Sequence, residues 1–247
     1  MRKIFGYFVY FVNRKLGGTN RIDNIKYGKD DDMAYDVFPN DSTESPIVIF
    51  WHGGSWKYGK KEMYHFVGDR LQKWGAQAIL VGYKKYPKQT FPGFIDDALL
   101  ALEQIKKNYP NRKIVLMGHS AGANTAMLVG LNKNKQADKV VSLAGVTSLG
   151  SNKWANIFGK ALKTRSYDPA THLSEASKET EYLLIHGRLD NIVYYRQSSE
   201  LYTKMQKHNF KVQLILVNLS EHMLILIYTF LGPFSLTRHK LKKFIFS

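Results

Sequence analysis

Short apolar runs, typical of buried strands, alternate with helix-like segments along most of this chain. The apolar runs predict strands near residues 33–38, 46–51, 77–83, 113–117, 139–143, 182–186 and 212–217. The segments between and after them predict helices near 60–74, 93–108, 121–132, 194–208 and 235–245. Such alternation favours an α/β fold with a mostly parallel central sheet and helices on both faces.

Residues 145–175 interrupt this alternation, because no regular period of apolar positions runs through them. We expect them to form a small cap-like insertion between the fifth and sixth predicted strands. The insertion would then overhang the carboxyl ends of the strands, where open α/β sheets bind ligands. Its Trp154 and Phe158, together with Trp56 from an earlier loop, are candidate substrate-binding residues. The alternative is that these aromatic side chains only pack the insertion onto the sheet.

A candidate nucleophile lies between the strand at 113–117 and the helix at 121–132, in the segment Gly118-His119-Ser120-Ala121-Gly122. The pattern Gly-x-Ser-x-Gly in this setting predicts a nucleophile elbow, a sharp strand-to-helix turn that exposes the serine hydroxyl. Side chains at the two glycine positions would collide with the neighbouring strand or helix. The N-terminus of the helix directs backbone N–H groups towards negative charge that develops beside Ser120.

A second glycine-containing loop follows the strand at 46–51, in the segment His52-Gly53-Gly54-Ser55-Trp56. In serine hydrolases with such an elbow, the loop after this strand supplies part of the oxyanion hole. Adjacent glycines let the backbone approach a tetrahedral intermediate closely. The candidate oxyanion donors are the amides of Gly54, Ser55 and Ala121. Taken alone, the loop is equally compatible with a simple glycine-rich turn.

Candidate partners for Ser120 follow two later strands. Asp190 lies in the loop after the strand at 182–186, and His222 lies after the strand at 212–217. The chain order Ser…Asp…His is typical of the α/β-hydrolase arrangement. His222 would remove the proton of Ser120, while Asp190 would hold the imidazole in the required tautomer. The sequence therefore predicts Ser120, Asp190 and His222 as the catalytic residues.

Other polar residues near these motifs have simpler interpretations. His119 is expected to pack or orient the elbow, and His52 to organise its own loop. His186 ends a buried strand, which favours a hydrogen-bonded core histidine. Glu221 adjoins His222 but is expected to point elsewhere, so Asp190 is the preferred acid.

Together, these motifs resemble the α/β-hydrolase superfamily, and within it the esterase branch with a His-Gly-Gly oxyanion loop. That branch includes small acyl esterases, acetylxylan-type esterases and kynurenine formamidase. The resemblance covers roughly residues 33 to 245 and extends to the segments Tyr35-Asp36-Val37-Phe38-Pro39, Tyr86-Pro87, Phe91-Pro92 and Asp96-Asp97. Ser55 departs from the third glycine of many lipase-type relatives but keeps its amide. The loop at 184–193 also resembles the equivalent segment of prolyl-oligopeptidase-type peptidases.

The resemblance implies a serine carboxylic ester hydrolase that acts on small or medium acyl esters through an acyl-enzyme intermediate. One alternative is an aryl formamidase or a serine peptidase-like amide hydrolase. Another is a hydrolase fold that binds without catalysis. No cofactor is implied. The chain has no cysteine and no histidine pair with HExxH-like spacing, so the sequence indicates no metal site and no disulfide.

The formal net charge of +16 is large for 247 residues, and the lysines and arginines occur in small clusters. They are interpreted as solvated surface, with attraction to anionic lipid as the alternative; no nucleic-acid motif accompanies them. Residues 1–20 carry an apolar and aromatic run, Ile4 to Val12, between basic flanks. This run predicts an N-terminal helix, either packed on a single hydrolase domain at 21–247 or lying on a membrane surface, with an export signal as a third possibility. A cytoplasmic or membrane-associated location is favoured.

Overall fold

An eight-stranded sheet organises the part of the chain that the computed structural model describes, residues 20–150, 152–232 and 235–247. Its strands are β1 (Ile22–Lys26), β2 (Ala34–Phe38), β3 (Ile47–Trp51), β4 (Gln77–Val81), β5 (Ile114–His119), β6 (Lys139–Leu143), β7 (Glu181–Gly187) and β8 (Val212–Val217). They lie in the order β1-β2-β4-β3-β5-β6-β7-β8. β2 pairs antiparallel with β1 and β4, whereas the neighbours from β4 to β8 pair in parallel.

Helices connect most of the strands. They are α1 (His65–Trp74), α2 (Gly93–Asn108), α3 (Ala121–Gly130), α4 (Ala155–Phe158), α5 (Ala161–Thr164), α6 (Arg196–Lys207), α7 (Leu224–Leu226) and α8 (Leu236–Phe246). Short 3₁₀ turns occur at Lys61–Tyr64, Asn152–Trp154 and Pro169–His172, and a π-helical turn, Ile227–Leu231, continues α7.

The apolar core has two layers, one on each face of the sheet. Strand β3 contributes to both, because successive side chains point to opposite faces. Ile47, Ile49 and Trp51 join the layer that contains the buried residues of α2, α3 and α6. Val48 and Phe50 join the layer that contains the buried residues of α1, α7 and α8. This two-sided burial explains why the central strands are continuous apolar runs.

The fold predicted from the sequence is confirmed, with local differences that include α7 and the π-helical turn after it, neither of which is predicted. Strand β1 was not predicted, because most of its residues are exposed and it has no apolar run. The helix predicted at 60–74 begins as α-helix only at His65, after a 3₁₀ turn. The segment 145–175 contains several helical turns of three or four residues, too short to produce a regular apolar period.

The N-terminal helix predicted within residues 1–20, with its apolar run Ile4 to Val12, lies outside the described residues apart from Asn20. Among the helices that are described, none is both long and apolar enough to cross a membrane.

Candidate active site

Ser120 occupies the turn between β5 and α3 in a strained backbone conformation. Its φ is 54° and its ψ is −118°, a combination that residues with a side chain rarely adopt. The amide of Ser120 donates to the carbonyl of Leu143 at the end of β6, at 2.9 Å. The strain is therefore held by the packed strands around it, as a nucleophile elbow requires.

The glycines of the elbow are needed because other backbone segments lie against them. A Cβ atom at Gly118 would overlap the carbonyl of Gly122 one turn later. A Cβ atom at Gly122 would overlap the carbonyls of Trp51 and His52 at the end of β3. The first turn of α3 thus sits directly on the strand that leads into the glycine-containing loop.

Asp190 and His222 lie together at the carboxyl ends of β7 and β8. His222 Nδ1 donates to Asp190 Oδ2 at 2.7 Å. The other oxygen, Oδ1, accepts the backbone N–H groups of Ile192 and Val193, each at 2.9 Å. Both catalytic candidates are buried, with Asp190 3% and His222 5% exposed. The structure therefore brings the predicted acid and base into direct contact.

His186 makes a further contact with Asp190 that sequence reasoning missed. Its Nε2 lies 3.1 Å from Asp190 Oδ2 and 2.8 Å from the carbonyl of Val193, and its Nδ1 lies 2.7 Å from Ser198 Oγ. Since both partners of Nε2 only accept, that nitrogen carries a proton. The available signal was the four-residue spacing of His186 and Asp190, which spans the end of β7.

The hydrogen bonds around Asp190 keep it ionised. Burial by itself would raise the pKa of Asp190, but the bonds from His186 and His222, with that from the Val193 amide, outweigh burial. The pKa of the carboxyl group is held well below its usual range. A carboxylate at this position favours the proton on Nδ1 of His222 and leaves Nε2 as the proton acceptor.

The glycine-containing loop after β3 lies beside Ser120 at Gly53. A Cβ atom built on Gly53 would be 3.1 Å from Ser120 Cβ and 2.9 Å from His119 Nδ1. The loop then folds back, so that Gly54 O accepts the amide of Tyr58 at 2.8 Å. The next residue, Ser55, has a positive φ of 56°. The loop holding the predicted donors Gly54 and Ser55 is thus adjacent to the nucleophile.

Ala121, the third predicted donor, is the first residue of α3. The first N–H groups of a helix have no partner within it and carry the positive end of its dipole. The Ala121 amide is therefore suited to bind an oxyanion formed next to Ser120.

Replacing Gly53 with alanine should reduce kcat/KM by up to about 100-fold, because even a displacement of about 1 Å of a reacting group can cost that much. The added methyl group would press on both the Ser120 and His119 side chains, which must shift. Gly150→Ala is the matched control, because a Cβ atom there meets no other atom within 4 Å. Hydrolysis of p-nitrophenyl acetate by both variants checks this, and equal activities would contradict it.

The three predicted aromatic residues form one cluster. The Trp56 ring packs edge-on against Trp154 and Phe158, with centroids 5.9 Å and 4.8 Å apart. Trp56 and Phe158 are almost fully buried, at 1% and 2% exposed. This burial gives them a packing role that joins the insertion to the glycine-containing loop. Contact with a substrate remains a prediction for all three.

Asn124 fixes the insertion above the first turn of α3. Its Nδ2 donates to the carbonyls of Val146 and Tyr167, both at 2.9 Å. Asn124 follows Ser120 by about one helical turn, so the insertion is anchored close to the nucleophile. A surface cleft of about 840 Å³ lies on another side of the insertion, lined by Phe91, Ile95, Leu131 and Phe158 among others. Ser120, Asp190 and His222 do not line it.

One group of potential metal ligands occurs in the part of the chain that the structure describes: Asp23, Asp36 and His65. Asp36 already accepts from the Lys61 ammonium at 2.8 Å and from His65 at 2.9 Å. An ammonium within bonding distance supplies the positive charge that a cation would bring. Asp36 and His65 therefore belong to a buried ion-pair network with Lys61, while Asp23 is exposed, and the group is not read as a metal centre.

Two buried histidines beside the site predict a loss of stability in mild acid. Burial lowers the pKa of His52 to about 4 and that of His119 to about 3. An unfolded histidine has a pKa of about 6.5, so below that pH the unfolded chain binds protons that the folded chain does not. Above about pH 6.5 these histidines are neutral in both the folded and the unfolded chain, so they cost the fold nothing. As the pH decreases from there towards 4, the free energy of unfolding falls.

Each of these histidines should lower the free energy of unfolding by about 1.4 kcal/mol per pH unit once well below its unfolded pKa. Urea unfolding at pH 7, 6 and 5 measures this slope. His119→Asn should flatten the slope by about the amount assigned to one histidine. An unchanged slope in that variant would contradict the neutral, buried state of His119.

Comparisons with known proteins agree with this geometry. A family model described as phospholipase/carboxylesterase matches residues 95–226, and one described as BD-FAE matches residues 36–153. A versiconal hemiacetal acetate esterase of Aspergillus parasiticus is 34% identical over 114 residues, which are 44% of this chain and 36% of that protein. A kynurenine formamidase of Danio rerio is 23% identical over 85% of this chain and 78% of its own length.

A solved structure of a truncated carbohydrate esterase from gut microbiota has a TM-score of 0.80 at 16% identity, covering 94% of this chain and 96% of that one. At 16% sequence identity, this structural similarity supports the fold alone. Because the phospholipase/carboxylesterase model matches more than half of the chain, the chain belongs to that family, and its fold is the α/β-hydrolase fold of the esterases to which its sequence is similar.

Proposed function

We propose that the protein is a serine carboxylic ester hydrolase that acts on small or medium acyl esters through an acyl-enzyme intermediate. The observation that carries the proposal is the strained Ser120 at the elbow, combined with the 2.7 Å bond between Asp190 and His222. Backbone strain of this kind clusters at active sites, where the surrounding structure holds it in place. A buried Asp–His pair at the carboxyl edge of the same sheet is the base such a serine needs.

In the acylation step, Ser120 Oγ attacks the acyl carbonyl carbon while His222 Nε2 takes the hydroxyl proton. The carbonyl oxygen gains negative charge, which the amides of Gly54, Ser55 and Ala121 would stabilise. The ester C–O bond then breaks, and His222 returns its proton to the leaving alcohol. Asp190 stays ionised throughout and stabilises the imidazolium that forms.

In the deacylation step, water attacks the acyl group on Ser120, and His222 removes a proton from that water. Collapse of the second tetrahedral intermediate releases the carboxylic acid and returns the proton to Ser120. No atom outside the chain, the substrate and water takes part. The mechanism accordingly requires only the residues already described and their backbone amides.

The relatives support ester hydrolysis and favour one second candidate. The versiconal relative is an acetate esterase, which fits a small acyl group. The kynurenine formamidase relative aligns over most of both chains, which favours cleavage of an aryl formamide by the same serine chemistry. In that reaction the leaving group is an aryl amine, to which His222 would deliver the proton.

A substrate series tests this proposal. We expect p-nitrophenyl acetate and butyrate to be hydrolysed with the highest kcat/KM, and p-nitrophenyl palmitate to be the poorest substrate. N-formylkynurenine measured in parallel tests the second candidate. Faster palmitate turnover would contradict the preference for small acyl groups. A formamide kcat/KM above that of every ester would replace the first function with the second, and no turnover of any substrate would favour a non-catalytic fold.

A further inference from the structure

Three hydrogen bonds form a continuous connection behind the candidate nucleophile, from the His222 carbonyl through His119 and Tyr64 to the Gly53 amide. The ring of His119, the residue before Ser120, places Nε2 3.0 Å from the carbonyl oxygen of His222. Its Nδ1 lies 3.1 Å from the hydroxyl of Tyr64. That hydroxyl lies 3.2 Å from the amide nitrogen of Gly53. Tyr64 is 3% exposed and His119 is 1% exposed, so solvent does not replace these partners.

The donor and acceptor of each hydrogen bond in this connection can be assigned, starting from the His222 carbonyl. The His222 carbonyl can only accept, so His119 Nε2 must donate. In the neutral ring Nδ1 then accepts, which makes the Tyr64 hydroxyl its donor. The Tyr64 oxygen is left to accept the N–H of Gly53. Burial lowers the pKa of His119 to about 3, so the neutral ring persists at all ordinary pH values.

The connection joins loops from distant strands. Gly53 follows β3, which lies beside β5, whereas His222 follows β8, which is separated from β5 by β6 and β7. Both loops must be placed correctly against Ser120 for acylation to occur. The His119 ring also contacts the His222 ring, with centroids 4.8 Å apart. His119 thus touches the loop of the base directly, and reaches the glycine-containing loop through Tyr64.

We propose that His119 and Tyr64 are positioning residues that hold the glycine-containing loop and the His222 loop in register with Ser120. This inference rests on the serine mechanism proposed above. The Gly53 amide is engaged by Tyr64, so the candidate oxyanion donors of this loop remain the amides of Gly54 and Ser55. The two residues act through the loops and do not touch the substrate.

The test uses the rate at which a fluorophosphonate probe labels the full-length protein, since labelling needs the nucleophile, the base and the oxyanion donors together. Tyr64→Phe keeps the ring but removes the hydroxyl from both His119 and Gly53. We expect labelling and kcat/KM to fall about tenfold or more, since one neutral hydrogen bond corresponds to about tenfold and this hydroxyl makes two. KM should change little, because the residue does not contact the substrate.

Tyr182→Phe is the matched control. Tyr182 is also fully buried and its hydroxyl donates to the carbonyl of Gly130 at 2.9 Å, at the other end of α3. Loss of this hydroxyl should also lower the melting temperature, because it breaks a buried hydrogen bond. Labelling and turnover should stay within twofold of the wild type.

Variants of His119 separate the two halves of the connection. His119→Gln keeps a donor for the His222 carbonyl but gives up the ring acceptor for Tyr64. We expect it to lose activity, and the double variant Tyr64→Phe/His119→Gln to lose less than the product of the two single losses. Such coupling is expected of a connected unit and not of two independent packing residues.

Three outcomes would overturn the inference: wild-type labelling by Tyr64→Phe, an equal loss in Tyr182→Phe, or fully multiplicative losses in the double variant. If the proposed function itself were wrong, the wild-type protein would not be labelled by the probe, which distinguishes that failure from a failure of this inference. Melting temperatures recorded for each variant exclude unfolding as the cause of a lost signal.

Discussion

Replacing Ser120 with alanine is expected to lower ester turnover by about 10⁶-fold, the size of loss that removal of a triad nucleophile produces. The fold should survive. Ser120 already holds a Cβ atom at φ 54°, so alanine adds no new backbone strain. Only the hydroxyl oxygen is lost. Steady-state kinetics with p-nitrophenyl acetate measure the effect.

The control for this change is the thermal unfolding of the same variant. A melting temperature within a few degrees of the wild type shows that the loss belongs to chemistry. If the purified variant kept more than a few per cent of the wild-type activity, Ser120 would have no place in the mechanism.

Asp190→Asn should lower kcat by about 10⁴-fold, as expected when the orienting acid of a Ser-His-Asp arrangement becomes an amide. The carboxylate accepts from His222 and His186 through Oδ2 and from two backbone amides through Oδ1. An asparagine offers only one accepting oxygen. Its NH₂ group would face donors on one side, which favours the wrong tautomer of His222.

Glu221→Gln is the matched comparison, because Glu221 adjoins His222 in sequence while its side chain is exposed. This variant should keep wild-type kcat within about twofold, since exposed charges contribute little. A larger loss in Glu221→Gln than in Asp190→Asn would show that the acid of the site has been misassigned.

The sequence predicts the central strands well because burial on both faces makes them apolar runs, as in β3 and β5. It misses β1, whose five residues are mostly exposed and carry no such signal. The insertion at 145–175 is equally difficult, because helices of three or four residues cannot show a 3.6-residue period. Elements with a regular local pattern of apolar residues can be predicted from the sequence, whereas elements that form only through packing cannot.

Some parts of the candidate site can likewise be predicted from the sequence, and others cannot. Ser120, Asp190 and His222 each follow a recognisable strand, so their positions at one edge of the sheet follow from topology. The hydrogen bond from Tyr64 to His119 joins residues that are 55 positions apart, and no local sequence pattern predicts it. The bond from His119 to the His222 carbonyl spans 103 positions. Only the folded sheet brings these groups together.

Covalent labelling with a fluorophosphonate shows whether Ser120 is an activated nucleophile. The wild-type protein is incubated with the probe at neutral pH, then digested and mapped by mass spectrometry. We expect one equivalent of phosphonate per chain, on the peptide that contains Ser120, and none on the Ser120→Ala variant. A wild-type protein that stays unlabelled, or a label carried on any other residue, would contradict it.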